Sequence, residues 1–207
     1  MNKMKLTVKP GKRSRVYVYL DEEYAASVDA TFWYSSTWSS MEEIDEETKA
    51  EMLLAISERR AFDSLLDLIS RRLHSRRELF QKLSRKYERE AVEAALLKAE
   101  ELSLLNDEAY ATAYAEELSN IKHYGAQRIK MALLQKGIDR ETIENVLLGL
   151  DKDDKKSIIV LLNSKYRHQL SDEKGKRRTI NSLLRMGYSY ADIFSALDAI
   201  GEEQEEF

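Results

Sequence analysis

A pattern that returns after fifty residues constrains this chain more than any other feature. RIKMALLQKGIDRETIENVL (Arg128 to Leu147) and RTINSLLRMGYSYADIFSAL (Arg178 to Leu197) align without a gap and share Arg, Leu-Leu, Gly, Ile and Leu in register. In each copy a Leu-Leu pair leads into a glycine, Gly137 or Gly187. Glycine takes positive φ without a Cβ penalty and so commonly ends a helix. Beyond the turn, Ile143, Val146, Leu147 and Leu150 stand at i, i+3, i+4 and i+7, and Ile193, Ala196, Leu197 and Ile200 repeat those intervals. Each set makes one apolar helical stripe. The pattern predicts two helices across a tight turn, twice.

A third, less regular copy lies upstream. Leu79 and Leu83 correspond to Ile129 and Leu133, while Val92, Ala95, Leu96 and Ala99 reproduce the second stripe. Lys86-Tyr87 replaces the turn glycine, and a bulky residue is uncommon in the left-handed region, so this turn is expected to differ in geometry. Each copy also owns a preceding helix, marked by Leu65, Leu68, Ile69 and Leu73, by Tyr110, Ala113, Tyr114 and Leu118, and by Ile158, Leu161, Leu162 and Tyr166. The unit is therefore three helices, present three times. Arrays of such units are expected to bury their faces largely against neighbours.

The first forty residues differ. Arg15–Leu20 alternates and is rich in β-branched and aromatic residues, Tyr24–Tyr34 reads as a second strand, and Leu6–Val8 as a third. Trp33 and Trp38 are the expected packing anchors. Ser40 with Glu43, and Asp45 with Glu46 and Glu47, are signals for a helix start. The fold class is mainly α: three tandem three-helix repeats in an elongated array, with a small N-terminal β-hairpin segment. The expected divisions are the hairpin segment (1–40), an acidic connector helix (41–60), repeats at 61–106, 107–151 and 152–200, and an acidic tail (201–207).

Zero cysteines exclude disulfides and thiolate metal sites and fit a reducing compartment. The start of the chain has no apolar leader segment and no run reaches transmembrane length, which points to the cytoplasm. The net charge of −4 conceals segregation. Arg71 to Arg89 and Lys174 to Arg185 are basic, whereas Glu100 to Glu117 is acidic, and such local fields can meet a nucleic acid or a charged protein. His74, His123 and His168 fall in junctions between first and second helices without ligand-spaced partners, so they read as surface residues rather than metal ligands. No phosphate loop, serine elbow or nucleotide fingerprint is present. Neither a catalytic residue nor a cofactor is expected.

The stretches SRRLHSRRELFQKLSRKY (Ser70 to Tyr87), EELSLLNDEAYATAYAEEL (Glu100 to Leu118), YGAQRIKMALLQKGI (Tyr124 to Ile138) and KRRTINSLLRMGYSYADI (Lys176 to Ile193) resemble the bacterial RecX regulators of the recombinase RecA. The resemblance spans roughly 62 to 200. Tyr87 and Ser103 stand where the family pattern has glycine. The resemblance implies a non-enzymatic, monomeric protein that binds the RecA filament on single-stranded DNA, lowers its ATP hydrolysis and strand exchange, and acts in recombination, repair and the SOS response.

The candidate RecA- or DNA-facing residues are the cations of the basic helices: Arg71, Arg72, Arg76, Arg77 and Lys82 in repeat 1, Arg128 and Lys130 in repeat 2, and Lys176, Arg177, Arg178 and Arg185 in repeat 3. Contacts of this kind set affinity without reading sequence. Reversing charge at Arg76 and Arg77 is expected to weaken function without unfolding the chain. A different reading, a double-stranded DNA regulator of helix-turn-helix type, needs a basic recognition helix. The third helices are poor in Arg, Lys, Asn and Gln.

Overall fold

Leu6, Val16, Val18, Leu20 and Val28 alternate with polar or aromatic residues, so the N-terminal stretch can bury these side chains together only as a sheet. In the computed structural model, which describes residues 3–150 and 153–205 and the side chains up to 201, they do so. The strands β1 (Met4–Pro10), β2 (Arg15–Leu20), β3 (Glu23–Asp29) and β4 (Glu43–Ile44) form an antiparallel sheet in the order β3-β2-β1-β4. The hairpin expected from sequence is therefore part of a four-stranded sheet. Its second strand also ends earlier: Asp29 accepts from the amides of Thr31 and Phe32 and starts a short helix, α1 (Ala30–Ser35). Trp33 of α1 is buried against the inner sheet face, and Trp38 packs at its edge. Asp21 and Glu22, both with positive φ, make the two-residue turn between β2 and β3.

Asp45 accepts from the Thr48 amide and opens α2 (Glu46–Ile69). This one continuous helix serves two cores. Met52 and Ile56 close the sheet, whereas Ala61, Phe62 and Leu65 join α3 (Arg76–Leu83) and α4 (Arg89–Glu101). The chain divides after Leu105, with the sheet and α2–α4 in one unit and the remaining helices in the other. The second unit contains α5 (Asp107–Asn120), α6 (Ala126–Gln135), α7 (Arg140–Gly149), α8 (Asp154–Asn163), α9 (Glu173–Arg185) and α10 (Tyr190–Glu205). The expected boundary at 151/152 and the acidic side chains of the tail lie outside the described residues.

Each triplet encloses its own core of nine or ten buried residues among those described, rather than leaving most of its apolar face to a neighbour. The expected stripes are buried in α4 and α8. In α5 the buried face is turned by a residue: Ala111 and Ala115 are fully buried and Ala113 is exposed. Small side chains there let helices approach closely, a preference that a search for large apolar residues overlooks.

Gly137 and Gly187 end α6 and α9 with φ of 83° and 92°. In both turns the amide two residues beyond the helix cap bonds back to the carbonyl of Leu133 or Leu183, the Schellman arrangement. After α4 the same bonds form, Leu104 N to Ala99 O, with Ser103 at φ 55° in place of glycine. Tyr87 avoids the left-handed region, as expected for its size. Its hydroxyl instead lies 2.8 Å from that of Ser64 on α2.

Candidate interaction surface

Helix α9 starts where Asp172 accepts from the Gly175 amide at 2.6 Å. From there Gly175, Thr179 and Leu183, spaced by four, face the core. Helical geometry then sets Lys174, Arg177, Arg178, Asn181 and Arg185 on the opposite side, and all are exposed. Arg177, Arg178 and Arg185 make no side-chain ion pair among the described residues. Lys176 is tied to Glu173 at 3.3 Å on the same helix. The result is a cationic stripe along one solvated helix face.

The C-terminal end of that helix is fastened to α6. Gly125 donates its amide to the Met186 carbonyl at 2.8 Å, and Arg128 donates from Nη1 to the Arg185 carbonyl at 3.4 Å. The Tyr188 hydroxyl donates to the His123 carbonyl at 2.8 Å, and burial pushes its pKa up to about 12. A Cβ on Gly187 would fall 2.4 Å from the Arg128 amide nitrogen, and one on Gly125 would fall 2.3 Å from the Gly187 carbonyl oxygen. Both positions therefore admit glycine alone. Arg128, whose guanidinium also lies 5.2 Å from the centre of the Tyr124 ring, joins the end of the α9 stripe. Lys130 points elsewhere, to Glu144 at 3.8 Å.

The basic cluster of α3 is arranged differently. Ser75, fully buried, caps the helix by accepting from the Glu78 amide. Arg76 reaches across to α4, with Nη2 on Glu93 at 2.8 Å and Nε on Glu100 at 2.7 Å. Arg72 pairs with Glu78 at 3.2 Å and donates to the Leu73 carbonyl at 2.9 Å. Lys82 lies 3.0 Å from His74 Nε2, and His74 Nδ1 lies 3.0 Å from the Arg72 carbonyl. An ammonium can only donate and a carbonyl can only accept, so the imidazole is neutral with its proton on Nδ1. Burial lowers the His74 pKa, in keeping with that state.

His74 is buried, which corrects its reading as a surface histidine. Arg72, Arg76 and Lys82 are engaged inside the first unit, and only Arg71 and Arg77 of that group are exposed without a side-chain partner among the described residues. Sequence reasoning treats α3 and α9 alike because both are basic. The signal that separates them is the placing of anions, since Glu93 and Glu100 stand on the helix that follows α3, whereas the matching positions of α10 are Phe194 and Gly201. Missed altogether was the joint between Gly125 and Gly187. Its trace was a glycine at the head of the two regular copies, Gly125 and Gly175, where the first copy has Ser75.

Among the described residues no three His, Cys, Asp or Glu side chains gather as a metal site, and no helix is long and apolar enough to cross a membrane. Comparison with known proteins gives one answer. The family model for the first three-helix domain of RecX matches residues 61–98, and the model for the second three-helix domain of RecX matches residues 106–147. Regulatory protein RecX of Clostridium botulinum (strain Alaska E43 / Type E3) is 29% identical over 192 residues, covering 90% of each chain. That of Bacillus subtilis (strain 168) is 28% identical over 208 residues, covering 98% of this chain and 78% of its own. A solved regulatory protein RecX shares the fold with a TM-score of 0.70 at 22% identity, over 94% of this chain and 99% of its own. RecX from Lactobacillus salivarius gives 0.61 at 28% identity, over 71% and 98%. The two domain models fall in order on α2–α4 and on α5–α7, the triplets that the repeat pattern marks out, and the chain carries the first and second three-helix domains of RecX.

Proposed function

We propose that this protein is a non-enzymatic regulator that binds the RecA filament on single-stranded DNA and lowers its ATPase and strand exchange, acting in the cytoplasm in recombination, DNA repair and the SOS response. The observation that carries the reading is the cationic face of α9 in a chain whose relatives are named regulatory proteins. A filament of protein on DNA presents phosphates and acidic side chains in repeating positions. A helix with Lys174, Arg177, Arg178 and Arg185 along one face suits such a partner, because several weak charged contacts act together. Exposed Arg71 and Arg77 add a second, smaller basic patch on the first unit.

The third helices weigh against a double-stranded DNA regulator. The exposed residues of α7 include Glu141, Glu144 and Leu148, and those of α10 include Ala191, Phe194 and Asp198. Such faces are poor in the Arg, Lys, Asn and Gln side chains that read base edges, α7 exposing one arginine, Arg140, and one asparagine, Asn145.

The test is the DNA-dependent ATPase of a cognate RecA on preformed filaments. Added wild-type protein is expected to lower the rate at up to one molecule per recombinase subunit. An unchanged rate with folded protein contradicts the proposal.

A further inference from the structure

The outer face of the N-terminal sheet carries a second arrangement suited to binding. Tyr17 and Tyr19 lie on alternate positions of the central strand β2, opposite Lys9 and Thr7 of β1. On the other side, Tyr17 pairs with Ser27 and Val18 with Ala26, but Tyr19 pairs with Tyr24, leaving Ala25 as the extra residue of a β-bulge. Side chains alternate with a period of two, so an unbroken register would pair Tyr24 with Leu20 and send it to the inner face. The bulge brings it out instead. Tyr24 then meets Tyr17 and Tyr19 edge-on, with ring centres 6.3 and 6.0 Å apart, while remaining 59% exposed.

Lys9 Nζ sits 4.7 Å from the centre of the Tyr19 ring. Lys12, Arg13 and Arg15 are exposed at the same end of the sheet, where β1 turns into β2. The acidic residues Asp21, Glu22 and Glu23 occupy the opposite end, at the β2–β3 turn. Three aromatic rings held on one sheet face, with Lys9 against Tyr19, three more cations at the Tyr17 end and the acidic turn beyond Tyr19 and Tyr24, match the two halves of a nucleotide, since bases stack on rings and phosphates pair with Lys and Arg.

We propose that the Tyr17, Tyr19 and Tyr24 face is a stacking platform for single-stranded nucleic acid, with Lys9, Lys12, Arg13 and Arg15 holding the phosphates. The ligand class is shared with the function proposed above. The site is not, and it binds nucleic acid in the absence of a recombinase. Stacking is indifferent to sequence because every base has a π face, so the platform takes pyrimidine and mixed strands alike.

The experiment is a fluorescence anisotropy titration of the full chain with fluorescein-labelled oligodeoxythymidine at several salt concentrations, without RecA. Tyr19→Leu combined with Tyr24→Leu is expected to weaken binding at least about tenfold while leaving the salt dependence unchanged. Lys9→Gln combined with Arg13→Gln is expected to lower the slope of log affinity against log salt by about 1.4, at about 0.7 for each single-strand phosphate that the variant no longer neutralises. Tyr24→Ala alone changes an exposed side chain and keeps the test valid should the double variant misfold, and ultraviolet crosslinking should then map to β2 and β3. Wild-type affinity in the folded variants, or crosslinks confined to α9, overturns the proposal. It is also overturned if the oligonucleotide fails to bind at low salt while the tyrosine variant loses inhibition of the filament ATPase, because the face then contacts protein. Oligonucleotide binding that survives a negative ATPase result separates this site from the recombinase reading.

Discussion

Helices α3 and α9 carry similar runs of cations, yet one turns them into the protein and the other presents them to solvent. Arg76 bridges α3 to Glu93 and Glu100 of α4, and Lys82 holds His74, whereas Arg177, Arg178 and Arg185 project from α9 without side-chain ion pairs among the described residues. A count of basic residues does not distinguish a clasp from an interface. What does is whether anions on the next element lie within reach, because a paired cation is neutralised locally and contributes little field at a distance.

The contrast can be broken first at the joint that positions α9. Gly187→Ala is expected to destabilise the second unit by about 3 kcal/mol or more, combining left-handed strain with a clash against the Arg128 backbone. Gly137→Ala, at the exposed equivalent turn of α6, meets strain of about 1–2 kcal/mol. Urea denaturation of both variants measures the difference, and equal losses would show that the joint adds nothing to the turn.

Charge reversal sharpens the comparison next. Arg76→Glu sets three carboxylates together and should destabilise the first unit by about 2 kcal/mol, since hydrogen bonds to charged groups are worth about that much. The sequence expectation, that reversing Arg76 and Arg77 together weakens function without unfolding the chain, does not include this cost. Arg177→Glu with Arg178→Glu should change stability by no more than about 0.5 kcal/mol. Thermal melts that show equal shifts for the two helices would remove the distinction between clasp and interface.

A smaller effect of opposite sign is expected at the end of α4, the helix that supplies the clasp. Ser103→Gly should stabilise by about 1 kcal/mol, because the left-handed conformation at φ 55° is unfavourable for a residue with a Cβ. A lower denaturation midpoint would mean that the serine side chain makes a contact worth more than the strain.

The smallest expected effect depends on pH. The His74 pKa is lowered by folding from its ordinary value of 6.5, so the unfolded chain takes up the proton more readily. The resulting stability is present above 6.5 and is lost as pH falls through the lowered value. His74→Gln should therefore flatten the fall in melting temperature between about pH 7.5 and pH 5.5. An identical slope in wild type and variant would place the titrating group elsewhere.

The helical triplets were legible because buried Leu, Ile and Val recur at fixed intervals and glycine marks two of the turns. The sheet was legible only in part. Arg15–Leu20 alternates clearly, but β4 is two residues long and β3 ends at a side-chain cap on Asp29, a contest between local hydrogen bonding and strand propensity that Thr31 to Tyr34 alone does not reveal. The candidate surface was legible as charge and not as geometry. Arg76 and Arg177 look alike in sequence, and their difference resides in Glu93 and Glu100, seventeen and twenty-four residues further along from Arg76. The joint at Gly125 and Gly187 needed backbone proximity across more than sixty residues, which no local spacing encodes.

The most direct measurement is ATPase inhibition by paired variants on the same filaments. Arg177→Glu with Arg178→Glu is expected to lose inhibition by at least about tenfold in the concentration required, while Gln127→Glu on the equivalent face of α6 retains it. Full inhibition by the α9 variant with its fold intact would contradict the assignment of that face as the docking surface.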